Sequence, residues 1–158
     1  MQKLFIGPVT VDDCRQCAEL LVGQLGEHGI DASAAQLAQV LENVVADAGR
    51  GFVLLAREND RIIGVAYVAM ILSAEHCGPV GWLEELYVLP ERRSRGVGTA
   101  LLTAVLERAH ASGVVAMDLE IDARHSRVES LYRRLGFRPL DRSRWVRKLT
   151  ACKVENLK

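Results

Sequence analysis

The 158-residue sequence is short of several things, and each shortage closes off a class of protein. Aromatic residues make up 5% of the chain, and twenty basic residues are balanced by twenty acidic ones. The chain therefore lacks the bulk positive charge and the stacking side chains on which whole-surface nucleic-acid binding draws. No apolar run approaches the ~20 residues that span a bilayer, and the opening MQKLFIGPVT lacks the apolar segment and small-residue cleavage site of a secretory signal. A soluble, cytoplasmic protein without membrane or nucleic-acid partners is expected. The four cysteines show no paired zinc-type spacing, and Cys14-x-x-Cys17 falls inside a helical pattern, so packing cysteines are predicted and no metal is expected. Gly-Lys-Ser/Thr occurs nowhere, which removes an ATP P-loop. Internal repeats, low-complexity segments and linkers are absent too, so one domain is the default.

The residues present describe an alternation of helices and strands. Leu4 and Ile6 mark a first strand, and Thr10 can cap a helix whose Cys14, Cys17, Leu21 and Leu25 recur on one face. Ser33 with Gln36 predicts a second helix start, with Leu37, Val40, Leu41, Val44 and Val45 facing inward. Residues 52–56 and 62–72 read as antiparallel strands joined through Asn59-Asp60, a pair that tolerates the left-handed backbone of a tight hairpin. A polar connection, 73–81, follows. Residues 114–121 read as a buried strand, and Ser126-x-x-Glu129 predicts a capped helix carrying Val128, Leu131, Tyr132 and Leu135 and ending at Gly136. Residues 137–140 and 145–149 read as closing strands.

Residues 82–102, WLEELYVLPERRSRGVGTALL, organise the rest. A strand stopped by Pro90 runs into an arginine-rich loop closed by Gly96 and Gly98, and a helix begins near Thr99. Such a loop aims backbone N–H groups and the positive helix end at one point, which favours a phosphate or pyrophosphate. A dinucleotide fingerprint would need a third glycine at position 101, which is Leu101.

The ordered combination of a Glu-bearing strand with Arg93-x-x-Gly96-x-Gly98 resembles the acyl-CoA signature of the GNAT superfamily of N-acetyltransferases. Residues 130–137, with Leu131-Tyr132 leading to Gly136-Phe137, resemble a later motif of the same superfamily. The specific likeness covers about residues 82–137, and the first third matches in element order alone. It implies an N-acetyltransferase domain over residues 1–150 with a C-terminal tail at 151–158. The fold expected is a single α/β domain with a central mixed, mostly antiparallel sheet of about six or seven strands and helices on both faces.

The resemblance also implies a cosubstrate, acetyl-CoA, and places for its parts. Leu86, Tyr87 and Val88 take the pantetheine arm; Arg93, Ser94, Arg95, Gly96, Val97, Gly98 and Thr99 take the phosphates. Arg93 and Arg95 also fit plain solvated loop charges. Acetyl transfer to an amine needs a proton acceptor and a proton for the departing thiolate. Glu84 and Glu85 are the candidates for the first, with Glu84 preferred because the Leu-Glu-Glu wording resembles the diamine and polyamine branch. Neighbouring strand residues point to opposite faces, so one of the two is expected in the acceptor cleft. Tyr132 matches the superfamily's proton-donating tyrosine, and a core tyrosine on the stripe with Val128 and Leu135 reads the same way. His125 stands where many relatives carry asparagine and is assigned no catalytic role.

The activity implied is direct transfer of acetyl from acetyl-CoA to a primary amine on a small molecule, a polyamine or a peptide. Glu27, Asp31 and Glu75 are candidate acids at the acceptor entrance. No serine or cysteine nucleophile with a positioned base is identifiable, which disfavours a ping-pong route. The competing reading is a non-catalytic acyl-CoA-binding sensor or interaction module, which keeps the loop and dispenses with Glu84 and Tyr132. Exposed edge strands and an apolar chain end leave a homodimer open.

Overall fold

The computed structural model describes residues 3–149, without the side chains of residues 123–125. The expected tail, 151–158, lies outside the described residues. Strand β1 (Leu4–Pro8) leads through Thr10, whose backbone N–H donates to Asp13 Oδ2 at 3.0 Å, into helix α1 (Cys14–Glu27). Ser33 Oγ accepts from the Gln36 amide at 3.4 Å and opens helix α2 (Ala34–Ala46). Strands β2 (Gly51–Glu58) and β3 (Arg61–Ser73) form the expected hairpin, with Asn59 at φ 53° taking the left-handed turn position. Strand β4 (Gly78–Val88), helix α3 (Val97–Ala111), strand β5 (Ala116–Leu119) and helix α4 (Glu129–Arg134) complete the order.

The sheet runs β1-β2-β3-β4-β5, antiparallel as far as β4 and parallel between β4 and β5. Alternation along β2 and β3 sends Val53, Leu55, Ile62 and Val65 to one core with Cys14, Cys17, Leu21, Leu41 and Val44 of α1 and α2. Leu54, Ala56, Ala66 and Val68 go to the other core with Val97, Leu101, Leu102 and Val105 of α3. Cys14 and Cys17 are fully buried, as the helical stripe predicts.

Several expectations need correction. The sheet has five strands, since residues 137–149 carry no regular structure and form no ladder with the outer edge of β5. Their strand-like residues Leu140, Trp145, Val146 and Leu149 are 64–91% exposed. Two ion pairs hold the segment across the sheet instead, Arg142 to Glu75 and Arg144 to Glu120. β4 starts at Gly78, so the connection shrinks to residues 74–77. Gly81 belongs to the strand because a Cβ there would lie 2.3 Å from Met117 Sδ of β5. Val40 lies off the α2 stripe and is 44% exposed, with Ala38 buried in its place. The Ser126 capping box does not form: Ser126 sits in a 3-10 segment and the six-residue α4 begins at Glu129, whose carboxylate accepts from Arg133.

Leu101 is fully buried whereas Val40 is not. Leu101→Ala is expected to lower the unfolding free energy by about 2–5 kcal/mol, and Val40→Ala to change it by no more than about 0.5 kcal/mol, in urea titrations of the two variants.

Candidate functional site

The site begins where β4 breaks its own rhythm. Tyr67 of β3 pairs with Glu85 and Val68 pairs with Leu83, so Glu84 is an extra residue, a β-bulge. Leu83 and Leu86 consequently share the α3 face although they lie three positions apart. Glu85 keeps register with Tyr67 on the opposite face, and burial first, then the charge of Glu84, raises the pKa of both Tyr67 and Glu85. Simple alternation has no place for a bulge, so the directions of the two acids are set by the register with β3, and of the pair Glu84 alone lines the neighbouring clefts. Pairing of β4 with β5 also ends at Leu83↔Leu119, one residue before the bulge. Beyond that point β4 keeps β3 on one edge and, among the described residues, has no strand on the other.

Two clefts flank this gap. The smaller, about 420 Å³, runs along Leu86, Tyr87 and Val88 to Arg93, Ser94 and Gly98. The larger, about 950 Å³, opens over Ala69, Trp82, Asp118 and Glu120 beneath residues 138–144. Glu84 and Tyr132 line both clefts, as do Leu119, Glu120, Ile121 and Asp122. Both volumes fall in the range of small-molecule sites.

The glycine loop has the backbone geometry of an anion cradle. Gly96 precedes α3 at φ 81°, a conformation that costs a side-chain-bearing residue dearly, and Ser94 is also left-handed at φ 60°. The Ala100 amide closes the first helical turn on Gly96, leaving the amides of Val97, Gly98 and Thr99 at an unsatisfied helix start. The Val97 side chain is buried and anchors the turn, while Thr99 is exposed. A Cβ on Gly98 would meet nothing closer than 3.9 Å, so internal packing leaves room above this amide.

The arginines divide their roles. Arg93 folds back, donating from Nε to the Val88 carbonyl at 2.9 Å and from Nη2 to Glu27 at 3.0 and 3.1 Å, with its guanidinium over the Tyr87 ring. Tyr87 also donates to Glu27, at 3.0 Å. Burial opposes ionisation of Glu27, but the hydrogen bonds from Arg93 and Tyr87 prevail and hold its carboxyl below the usual range. Arg95 is exposed and makes no ion pair among the described residues. Of the other expected entrance acids, Glu75 is held by Arg142 and Asp31 lines neither cleft.

Burial, then the charge of Glu84, pushes the Glu85 carboxyl up to about 7, with the Gln24 side chain acting in the opposite direction. Burial and the charge of Glu85 push Tyr132 up to about 12, so its phenol is protonated at neutral pH. Tyr132 is 9% exposed and packs edge-on against Phe137 at 5.7 Å between centroids. It is both a core residue and a cleft residue. The side chain of His125 lies outside the described residues. Sequence reasoning did not single out Gln24 or Glu120, and neither belongs to a motif; the last turns of α1 bring Gln24 and the end of β5 brings Glu120 to the site. Among the described residues no group of three or more His, Cys, Asp and Glu side chains is arranged to hold a metal ion.

An α/β domain with a sheet splayed beside a glycine loop is the class that fold and site define. The profile of the acetyltransferase (GNAT) family matches residues 16–137, and the chain belongs to that family. An uncharacterized N-acetyltransferase of Bacillus subtilis (strain 168), YhfO, is 26% identical over 117 residues, covering 74% of this chain and 78% of the relative. Mycothiol acetyltransferase of Renibacterium salmoninarum is 31% identical over 112 residues, which are 68% of this chain and 31% of that longer protein. Among solved structures, the aminoglycoside N-acetyltransferase AAC(6')-Iy in complex with CoA superposes with a TM-score of 0.81 at 20% identity, over 95% of this chain and 97% of that one. That likeness is one of fold.

The raised Glu85 carboxyl has a consequence for stability. Its native pKa of about 7 exceeds the ordinary glutamate value of 4.5, so between those values the folded chain binds more protons than the unfolded one, and stability falls as pH rises. Relative to a Glu85→Gln variant, the wild type is expected to lose up to about 3 kcal/mol between pH 4.5 and 8, measured by urea unfolding at both pH values.

Proposed function

We propose that the chain transfers an acetyl group from acetyl-CoA directly to a primary amine on a small molecule or peptide, the donor lying in the smaller cleft and the acceptor in the larger. One observation carries this reading: Glu84 and Tyr132 line both clefts at the point where β4 and β5 part. The glycine loop fits the phosphates, since its left-handed turn, open helix start and free space above Gly98 leave backbone donors for an anion. The outer edge of residues 86–88 carries no strand among the described residues, and beside the Val88 carbonyl held by Arg93 it fits an extended arm that completes a sheet edge.

Acetyl-CoA supplies an activated thioester; the chain supplies position and protons. The amine nitrogen bonds to the acetyl carbon as the carbon–sulfur bond breaks, the nitrogen gives up a proton, and the sulfur gains one. Tyr132 is protonated at neutral pH and supplies the proton to sulfur. The Glu84–Glu85 pair receives the proton from nitrogen, Glu84 as the acid facing the cleft and Glu85 as the one whose proton affinity suits neutral pH. Holding both substrates at one point accounts for much of such a transfer. The activity is proposed for an acetyltransferase domain over residues 1–150.

A thiol-release assay with acetyl-CoA and a panel of amines tests the reading. Acetyl-CoA binding without thiol release for any amine would instead support a non-catalytic acyl-CoA sensor. Tyr132→Phe is expected to lower kcat by about 100-fold or more while CoA affinity, measured by calorimetry, stays as in the wild type. With an acetylated amine in hand, kcat/KM below pH 8 is expected to rise through a limb near pH 7, the value held by Glu85. Glu84→Gln removes the charge that raises Glu85 and shifts that limb to lower pH, and Glu85→Gln abolishes it. A profile identical in all three proteins would remove the carboxylate pair from the mechanism.

A further inference from the structure

The larger cleft already holds a cation, and it belongs to the chain. The Arg144 guanidinium lies 4.9 Å from the centroid of the Trp82 ring and is paired with the Glu120 carboxylate. Trp82 stands opposite Asp118 in the β4–β5 register, Glu120 follows two residues later, and all three line the cleft with Glu84. An aromatic face with a carboxylate at its edge is a seat for a planar or compact cation. The occupant is loosely held, because the side chains of Arg144 and Glu120 are 54% and 50% exposed and Arg144 comes from a segment without regular structure. Exposed ion pairs of this kind contribute little to stability, so replacing one cation by another costs the fold little.

The chemistry of transfer restricts what such a seat can bind. A reacting amine must be neutral to offer its lone pair, so the group held by Trp82 and Glu120 is not the reacting one. We infer that the seat between Trp82 and Glu120 is the anchoring subsite for a second, non-reacting cationic group of the acceptor, and that Arg144 occupies it as an internal stand-in. The acceptor class is then a diamine or polyamine, one nitrogen charged in the seat and the other neutral at Glu84. Trp82 and Glu84 lie two positions apart on β4 and line the same cleft, a separation a short alkyl chain spans. The inference rests on the acetyl-transfer reading for its consequence in catalysis; the seat itself can be tested by binding alone.

Two measurements separate these. In the thiol-release assay, wild-type kcat/KM is expected to favour diaminopentane over pentylamine by about tenfold, the worth of one cation seated on an indole beside a carboxylate. Arg144→Ala, which empties the seat, raises that ratio, and Glu120→Gln or Trp82→Ala lowers it towards one. A wild-type ratio near one, or a ratio that Glu120→Gln leaves unchanged, overturns the inference. The second measurement does not require turnover. The chain has two tryptophans, so Trp145→Phe leaves Trp82 as the single indole. Diaminopentane is expected to change its emission saturably, more weakly in a Glu120→Gln background, and pentylamine to have no such effect. That response without acetylation of either amine keeps the seat and removes the acetyl-transfer reading. Equal or absent responses to the two amines remove the seat.

Discussion

The site depends on one break in backbone pairing. β4 cannot serve β3 and β5 along its whole length, because the bulge at Glu84 and the end of the β5 ladder at Leu83↔Leu119 fall at adjacent residues. A bulge increases local twist and re-aims side chains. Here it keeps Leu83 and Leu86 together in the α3 core and puts two carboxyl groups side by side at the edge of a gap. The gap in turn frees one edge of residues 86–88 and admits Tyr132 from α4, so both clefts and the titratable groups beside them follow from the same interruption.

Electrostatics around the gap divides into satisfied and strained parts. Arg93 is neutralised by Glu27 and tied to the Val88 carbonyl, which pins the end of α1 to the end of β4. The positive potential left at the glycine loop therefore comes from the helix start, a fixed and preorganised source, and from the exposed Arg95. Glu85 and Tyr132 are the strained part, since burial works against their charged forms and each carries another carboxylate nearby. Tyr132 lines both clefts and Glu85 lies outside their linings, next to Glu84, and perturbed groups gathered beside a cleft mark a candidate site with a physical cause.

Much of this was legible in the sequence, and what was not has identifiable reasons. Local chemistry spoke clearly: Ser33, Asn59 and Gly96 each sit where cap or turn geometry demands, and Cys14 and Tyr132 are buried as their stripes required. Failures came where the outcome depends on a partner distant in sequence. Residues 137–149 have strand-like composition, but β-propensity reports fit to a neighbouring strand, and their arginines find Glu75 and Glu120 instead. Nothing in Leu83-Glu84-Glu85-Leu86 marks a bulge, because the extra residue is defined by the register of β3. Likewise the loop arginine Arg93 reads as a free donor until α1 brings Glu27 beside it.

The central claim is that the unpaired edge of β4 and the glycine loop act together as one donor site, with the bulge as its inner limit. Backbone amide NMR during a CoA titration tests it most directly. The account predicts that the amides of residues 86–88 and 96–99 shift and gain protection together, with a single saturation curve, while those of residues 80–83, already paired with β5, stay within the unligated spread. Perturbation centred on residues 80–83, or a loop response without any response from residues 86–88, would contradict it.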